Sequence, residues 1–437
     1  MIERLRTRFD GLIDIEHIRK KVTVRPKPVG DIDRLPPMLA AHILDMSLRQ
    51  IYLPNQFSLE LIAELVGKAV VHSAIRSETE QTFVKGMYYP ITAETFPICL
   101  TGLAGVGKSA TIEALLRAMP GPTEFKLNHY MEPQTAESYW YASAKGKASG
   151  KQLLTDFLGI EATTRENTAI LRLRAQQQAH QRGISLAILE EMQHLTPGKG
   201  ATLTTDILLT MSGLGLPMVY VSNFSLGHKL LKRNQEDTQR LVAEPRIMWP
   251  DALESKIWAE FIDECITVSD GRIRANPKDF SYEIYRGSYG LKRAAIHLMV
   301  QAYIQARSSN RAWVEIEDVQ RAYVSSSYYS YRVDVEELER IAIQKNSKRD
   351  DLNCPFGSPI RSNVVQFVRK ERDHRVAQAA FKGALTAEER EAHKSLKLDT
   401  DMKAQNPKRP KRPPLGKPTN DDLGNAFSDY FGDKEDN

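Results

Sequence analysis

The chain has 437 residues, 41% of them hydrophobic and 26% charged, with a formal net charge of +5 at pH 7. This is the composition of an ordinary globular protein long enough for two or three domains, and so mild a charge is not by itself a sign of nucleic-acid binding. No apolar stretch approaches the roughly 20 residues of a membrane span, and the basic N-terminus lacks a signal-peptide core, so neither a membrane partner nor export is expected. Cys99, Cys265 and Cys354 are scattered with no C-x-x-C pair. Neither a disulfide framework nor a zinc site is suggested, and a reducing cytoplasm is expected.

In chain order, residues 1–90 are predicted to form a helical and irregular extension. Residues 1–21 are basic and amphipathic, with Leu5, Phe9, Leu12, Ile13 and Ile15 set among Arg4, Arg6 and Arg8. A proline-rich stretch follows (Pro26, Pro28, Pro36, Pro37), then a helical pattern over 59–75. Residues 91–270 alternate short apolar runs with helices, the pattern of an α/β domain whose parallel sheet is covered on both faces.

That domain opens on T-G-L-A-G-V-G-K-S at 101–109, which fits G-x-x-x-x-G-K-[ST], the loop that wraps a nucleotide's phosphates. An apolar strand over 96–100 precedes it, and a helix over 109–119 follows, placing its positive N-terminus under the phosphates. Gly102, Gly105 and Gly107 allow close approach of the backbone, with Val106 and Ala110 beside them in the phosphate-binding stretch. Lys108 reaches the β- and γ-phosphates, and the Ser109 hydroxyl holds Mg²⁺; ATP and Mg²⁺ are the expected cofactors.

The run G-I-S-L-A-I-L-E-E-M-Q-H-L at 183–195 is a buried strand ending in two carboxylates. By position Glu190 is the metal-side acid and Glu191 the base that polarises the attacking water. Asp is more usual at the first position, and Glu190 is one methylene longer. A further strand over 216–224 ends in Ser222 and Asn223, either of which can bond the attacking water or the γ-phosphate. Beyond it lies a basic stretch with Lys229, Lys232, Arg233, Arg240 and then Arg246. Arg240 and Arg246 are both candidates for a finger acting on a neighbouring subunit's γ-phosphate.

Residues 271–345 are predicted to be a small helical lid. Gly287 and Gly290 precede a helix with Leu291, Ala294, Ala295, Leu298, Met299 and Ala302 on its packing side, and Lys292 or Arg293 at its start is placed to fold back over the nucleotide. A further helix is expected to start near Glu315. Residues 346–437 form a C-terminal extension with a short amphipathic run over 364–381. From Lys403 a basic, proline-rich and disordered tail runs to an acidic end carrying Leu423, Phe427, Tyr430 and Phe431, a partner-docking peptide by its helical spacing.

Phosphate loop, acidic strand, polar strand tip, trans arginine and helical lid, in that order, resemble an AAA+ ATPase, a P-loop NTPase core with its sheet sandwiched by helices. L-E-E-M-Q-H-L resembles the I-D-E-I-Q-H-L signature of the TnsC/TniB transposition regulators of Tn-type and CRISPR-associated transposons. G-L-P-M-V-Y-V-S-N resembles their G-V-P-V-V-L-I-G-T, and W-P-D-A-L-E-S-K-I-W-A-E-F-I their tryptophan-containing stretch before the lid. The resemblance covers roughly residues 90–330. It implies a bacterial cytoplasmic ATPase that assembles on double-stranded DNA as a homo-oligomeric ring or helical filament. Such a protein bridges a TniQ/TnsD-like target selector to a TnsA/TnsB-like transposase, and hydrolysis resets the assembly. By the same resemblance DNA is gripped by loops between phosphate loop and acidic strand, here Lys145, Lys147 and Lys151 with Thr163, Thr164 and Arg165. Those side chains suit sequence-independent backbone contacts. Three other readings stay open: a helicase loader or replication initiator on the same core, a small-molecule kinase, and a DNA scaffold that binds ATP with little hydrolysis.

Overall fold

The computed structural model describes residues 3–90, 95–127, 132–147, 149–161, 166–192, 200–344, 349–357 and 362–384, with 386 and 389. Residues 1–370 form one compact unit and residues 371–437 a second. Five helices come first: α1 (Glu3–Thr7), α2 (Ile15–Val22), α3 (Pro37–Arg49), α4 (Gln56–Arg76) and α5 (Glu80–Tyr88). The basic N-terminal run is thus two helices, and the second is started by Asp14, whose carboxylate accepts from His17 N at 2.7 Å. Proline at the first position of α3 and an Asn55 side-chain cap on α4 set the next two starts.

The α/β core contains β1 (Ile98–Gly102), α6 (Lys108–Ala118), a small antiparallel pair β2 (Thr123–Phe125) and β3 (Gln134–Ala136), then β4 (Trp140–Ser143), α7 (Gly150–Leu158) and α8 (Thr168–Gln181). It continues through β5 (Ala187–Glu190), α9 (Gly200–Ser212), β6 (Met218–Val221), α10 (Phe224–Leu231), α11 (Gln235–Leu241) and β7 (Glu244–Met248). The main sheet is parallel throughout, in the order β4-β5-β6-β1-β7. Its strands are apolar and buried, as a sheet covered on both faces requires: Ile98, Leu100, Ile188 and Val219 share one core with α2, α4 and α6, while Cys99, Leu189 and Tyr220 share another with α7 to α10. The expected strand over 216–224 ends at Val221, because Phe224 already begins α10 and is fully buried there.

The helical remainder is α12 (Lys256–Val268), α13 (Pro277–Ser288), α14 (Lys292–Ser308), α15 (Ile316–Val324), α16 (Tyr329–Gln344) and α17 (Ser362–Ala384). Helices α12 to α15 and α3 share a core of Trp258, Phe261, Phe280, Tyr303 and Tyr328 with Ala40, Leu44 and Leu48, and Tyr331 of α16 and Phe367 of α17 pack at its margin. The extension is therefore divided, with α3 packed on the lid and α4 on the sheet. The helix expected near Glu315 is α15, where Glu315 and Asp318 form a reciprocal capping box. Among the described residues no helix is long and apolar enough to cross a membrane. The tail from Lys403, including Leu423, Phe427, Tyr430 and Phe431, lies outside the described residues.

Candidate active site

In a parallel sheet all strands end at one edge, and ligands bind beyond those carboxyl ends. Here that edge carries the loop after β1, Ser222 and Asn223 after β6, Glu190 and Glu191 at the end of β5, and Ser143 at the end of β4. Since β6 lies between β1 and β5, the phosphate loop and the two acids stand two strand spacings apart, about 10 Å. Asn223 leaves the sheet between them.

The loop fits a phosphate chain. Gly105 and Gly107 have φ of +80° and +115°, which point successive N–H groups inward and which side chains with a Cβ rarely adopt. Gly107 is the N-cap of α6 and provides no side-chain cap, so the first helical N–H groups are available to a ligand. Lys108 is buried, and its Nζ donates to the carbonyl oxygens of Gly102 at 2.9 Å and Leu103 at 2.8 Å. Burial, and then the Arg293 guanidinium, push this ammonium down to about 7. Phosphate oxygens would reverse both effects. Ser109 is exposed on the first turn of α6.

The acids are held in place by residues that sequence reasoning missed. The Tyr141 hydroxyl on β4 donates to Glu190 Oε2 at 2.6 Å, and the Ser143 hydroxyl donates to Glu191 Oε2 at 3.0 Å. Among the described residues Glu190 Oε1 is buried with no hydrogen-bond partner, an acceptor suited to a cation or its water. Among the described residues no cluster of three or more His, Cys, Asp or Glu could cage a metal. Mg²⁺ needs no such cage, since it is bound through one or two protein ligands and fills its remaining positions with phosphates and water. Bound there by Glu190 and Ser109, it would neutralise charge developing on the phosphates. Glu191 has φ +56°, a left-handed backbone unusual for a non-glycine residue. The turn directs its carboxylate to Ser143. The only sequence signal for either partner was W-Y-A-S itself, a four-residue strand too short to stand out.

The structure separates the paired candidates. Ser222 is fully buried and its Oγ faces Cys99 Sγ at 3.7 Å inside the sheet. Asn223 is the N-cap of α10 yet makes no capping bond, so its amide is not committed to its own helix. At the lid, Arg293 N donates to Gly105 O at 3.2 Å and its side chain lies against that glycine. Lys292 instead pairs with the buried Asp251 at 3.2 Å, and Asn55 donates to the same carboxylate at 2.9 Å. Arg293 thus adjoins the phosphate loop, and Lys292 latches the lid to α4.

Arg246 sits on β7 opposite Leu100 and clasps Glu64 of α4 in a fork at 3.0 and 2.7 Å. That is an intrachain role for a candidate trans finger. Arg240, on α11, lies 3.3 Å from Glu236 one turn back and is half-exposed. Of the DNA candidates, Lys145 is exposed just past β4, Lys147 is ion-paired with Asp156, and Lys151 is on the first turn of α7. Thr163, Thr164 and Arg165 lie outside the described residues, as do 193–195 of the acidic-strand motif.

Residues 95–223 match the family model for the AAA domain. The match runs from just before β1 to Asn223, and so contains the phosphate loop and both strand-end acids. The chain carries an AAA ATPase core, and it is an ATP-hydrolysing enzyme. No curated protein matches the sequence. Among solved structures, the chain is similar to the Aeropyrum pernix ORC2 protein in its ADP form (11% identity, 68% of this chain and 84% of that one, TM-score 0.40). It is also similar to Cdc6p from Pyrobaculum aerophilum (15%, 68% and 80%, TM-score 0.38). A third is the Thermotoga maritima RuvB Holliday junction branch migration motor (12%, 70% and 81%, TM-score 0.34). Likeness at this level carries no partner or substrate over to this chain.

Proposed function

We propose that the protein is an ATP-dependent regulator of DNA transposition. It assembles on duplex DNA as a ring or helical filament, bridges a TniQ/TnsD-like target selector to a TnsA/TnsB-like transposase, and hydrolyses ATP to reset the assembly. The observation that carries the reading is L-E-E-M-Q-H-L at the end of β5, whose two acids stand on the same sheet edge as the phosphate loop. Glu191 takes the proton of the attacking water, Asn223 orients that water or the γ-phosphate, and Glu190 with Ser109 holds Mg²⁺. Gly102, Gly105, Val106, Gly107, Lys108 and Ala110 embrace the phosphates, with Arg293 over them from the lid. Of the two finger candidates Arg240 is favoured, because its contact with the exposed Glu236 is more weakly held than the two-bond fork of Arg246 on Glu64. Lys145 and its neighbours Lys147 and Lys151 are assigned to DNA phosphates. The reading places the protein in the bacterial cytoplasm, away from membranes.

One observation favours a second reading, an assembly on DNA that turns ATP over slowly. Both acids already accept a hydrogen bond, from Tyr141 and Ser143, and a carboxylate stabilised by such a donor is a weaker base and a weaker metal ligand. Glu191→Gln distinguishes the two. In a working ATPase the variant loses about 10²-fold or more of its hydrolysis rate and stays on DNA once loaded with ATP. A slow scaffold assembles and disassembles with the wild-type time course. Co-sedimentation of the ATP-loaded filament with transposase then tests the partner: failure to bind any transposase contradicts the transposition role while leaving the ATPase intact.

A further inference from the structure

Helix α10 starts at Asn223, so whatever fixes this helix also places the amide that the active site uses. Part of the C-terminal extension, residues 349–357, is laid against it. Gly227 stands one turn on from Asn223 and donates its N–H to Asn223 O at 3.4 Å. Glycine weakens a helix interior, and here packing explains it. A Cβ at this position would lie 2.8 Å from Pro355 Cγ and 3.3 Å from two ring carbons of Phe356. The next residue, His228, holds the same stretch by a hydrogen bond. Its Nε2 is 2.9 Å from the carbonyl oxygen of Asn353, which only accepts, so Nε2 carries the proton.

The stretch is itself anchored at its start. Arg349 pairs with Asp334 of α16 at 2.8 Å and with Asp351 at 3.0 Å. Leu352 is buried in the core that contains Phe224 of α10, and Phe356 packs against the core that contains Leu226 and Leu230. Residues 352–356 thus pack with both cores that α10 joins. With no capping bond of its own, the Asn223 side chain takes its position from where the helix is held.

We propose that Phe356, with Pro355 and the His228–Asn353 bond, is a positioning element for ATP hydrolysis. It seats α10 so that the Asn223 amide meets the attacking water or the γ-phosphate. Phe356 acts through Asn223 and not on the nucleotide. The proposal rests on the reading of Asn223 given above, and it adds the C-terminal extension to the parts that hydrolysis requires. A misplacement of about 1 Å is enough to slow a reaction severely, even when its cause lies away from the reacting atoms.

A double-mutant cycle on steady-state hydrolysis by the full chain tests this, at a temperature at which circular dichroism shows each variant folded. Phe356→Ala is expected to lower kcat about 10-fold with KM for ATP within about two-fold of wild type. In an Asn223→Ala background the same substitution should cost nothing further, because the group it positions is gone. Gly227→Ala is run through the same cycle and decides the matter should Phe356→Ala not fold. By helix propensity alone it would leave turnover unchanged; by displacing Pro355 it should lower kcat, again only where Asn223 is present. A folded variant of either kind with the wild-type kcat would overturn the proposal, as would a loss undiminished in the Asn223→Ala background. In those cases Asn223→Ala alone is still slow, and the reading of Asn223 stands. Asn223→Ala as fast as wild type would instead remove that reading, and the proposal with it.

Discussion

Ser222 and Asn223 are adjacent in sequence and opposite in surroundings. The Ser222 hydroxyl faces Cys99 within the sheet, while the Asn223 amide stands at the edge between the phosphate loop and the acids. Asn223→Ala is therefore expected to slow hydrolysis by about 10²-fold with nucleotide affinity little changed, the cost of losing one donor aimed at developing charge. Ser222→Ala should leave turnover within a few-fold of wild type. Steady-state hydrolysis and nucleotide titration of the two variants check this, and the reverse order would contradict the assignment. Lys108 gives a second expectation. Its ammonium, held down to about 7, is largely unprotonated at pH 8 and regains its proton against phosphate. Nucleotide binding at pH 8 should thus take up a proton, read by calorimetry in buffers of different ionisation enthalpy. Binding with no proton uptake would mean that Lys108 stays charged before the nucleotide arrives. The phosphate loop and the acids were legible from spacing alone. The choice between neighbours was not, because consecutive residues at a strand end face opposite ways and only packing decides which faces the ligand.

Among the elements, the lid is the most dependent on one polar residue. Asp318 is fully buried, pairs with Arg311 at 2.6 Å and also with Arg321, and accepts from Glu315 N at 2.9 Å to start α15. Asp318→Ala leaves the Glu315 N–H without its acceptor and strips Arg311 of its buried partner, leaving it the half-exposed Glu315 at 2.8 Å, and is expected to cost about 3 kcal/mol in chemical denaturation. A loss under about 1 kcal/mol would show that Glu315 alone suffices for Arg311. The first turn of α14 divides its labour between successive residues about 100° apart around the helix, Lys292 towards Asp251 and Arg293 towards Gly105. Helical patterning predicted α4, α14 and α15 within a few residues. It did not reveal that α3 belongs with the lid: the apolar stripe Ala40, Ala41, Leu44, Leu48 shows that α3 packs on something, but not on which neighbour.

For the molecule as a whole, acid stability follows from the buried histidines. His72 and His180 have folded values of about 3 and about 4, below the ordinary 6.5. The unfolded chain binds their protons first, so stability is full above about 6.5 and falls as pH drops towards 3, with a slope of up to about 1.4 kcal/mol per pH unit for each ring. Replacing both by glutamine should flatten the slope between pH 6 and 4 in denaturation measurements. An unchanged slope would put the titrating groups elsewhere. The order of motifs along the chain pointed to a sheet followed by a run of helices, but not to the packing of α3 and α12 with those later helices. The Lys292–Asp251–Asn55 latch was hidden because it joins residues from three stretches of chain. Assembly lies one level further, since what the half-exposed Arg240 and the exposed Lys145 meet on a neighbouring subunit or on DNA is not contained in one chain. Electron microscopy of the purified protein with duplex DNA, with and without a non-hydrolysable ATP analogue, tests the central claim most directly. Rings or filaments on DNA only when the analogue is present are the result expected of an ATP-dependent regulator. Unassembled protein under both conditions would contradict it, and DNA coated equally with and without nucleotide would contradict the dependence on ATP.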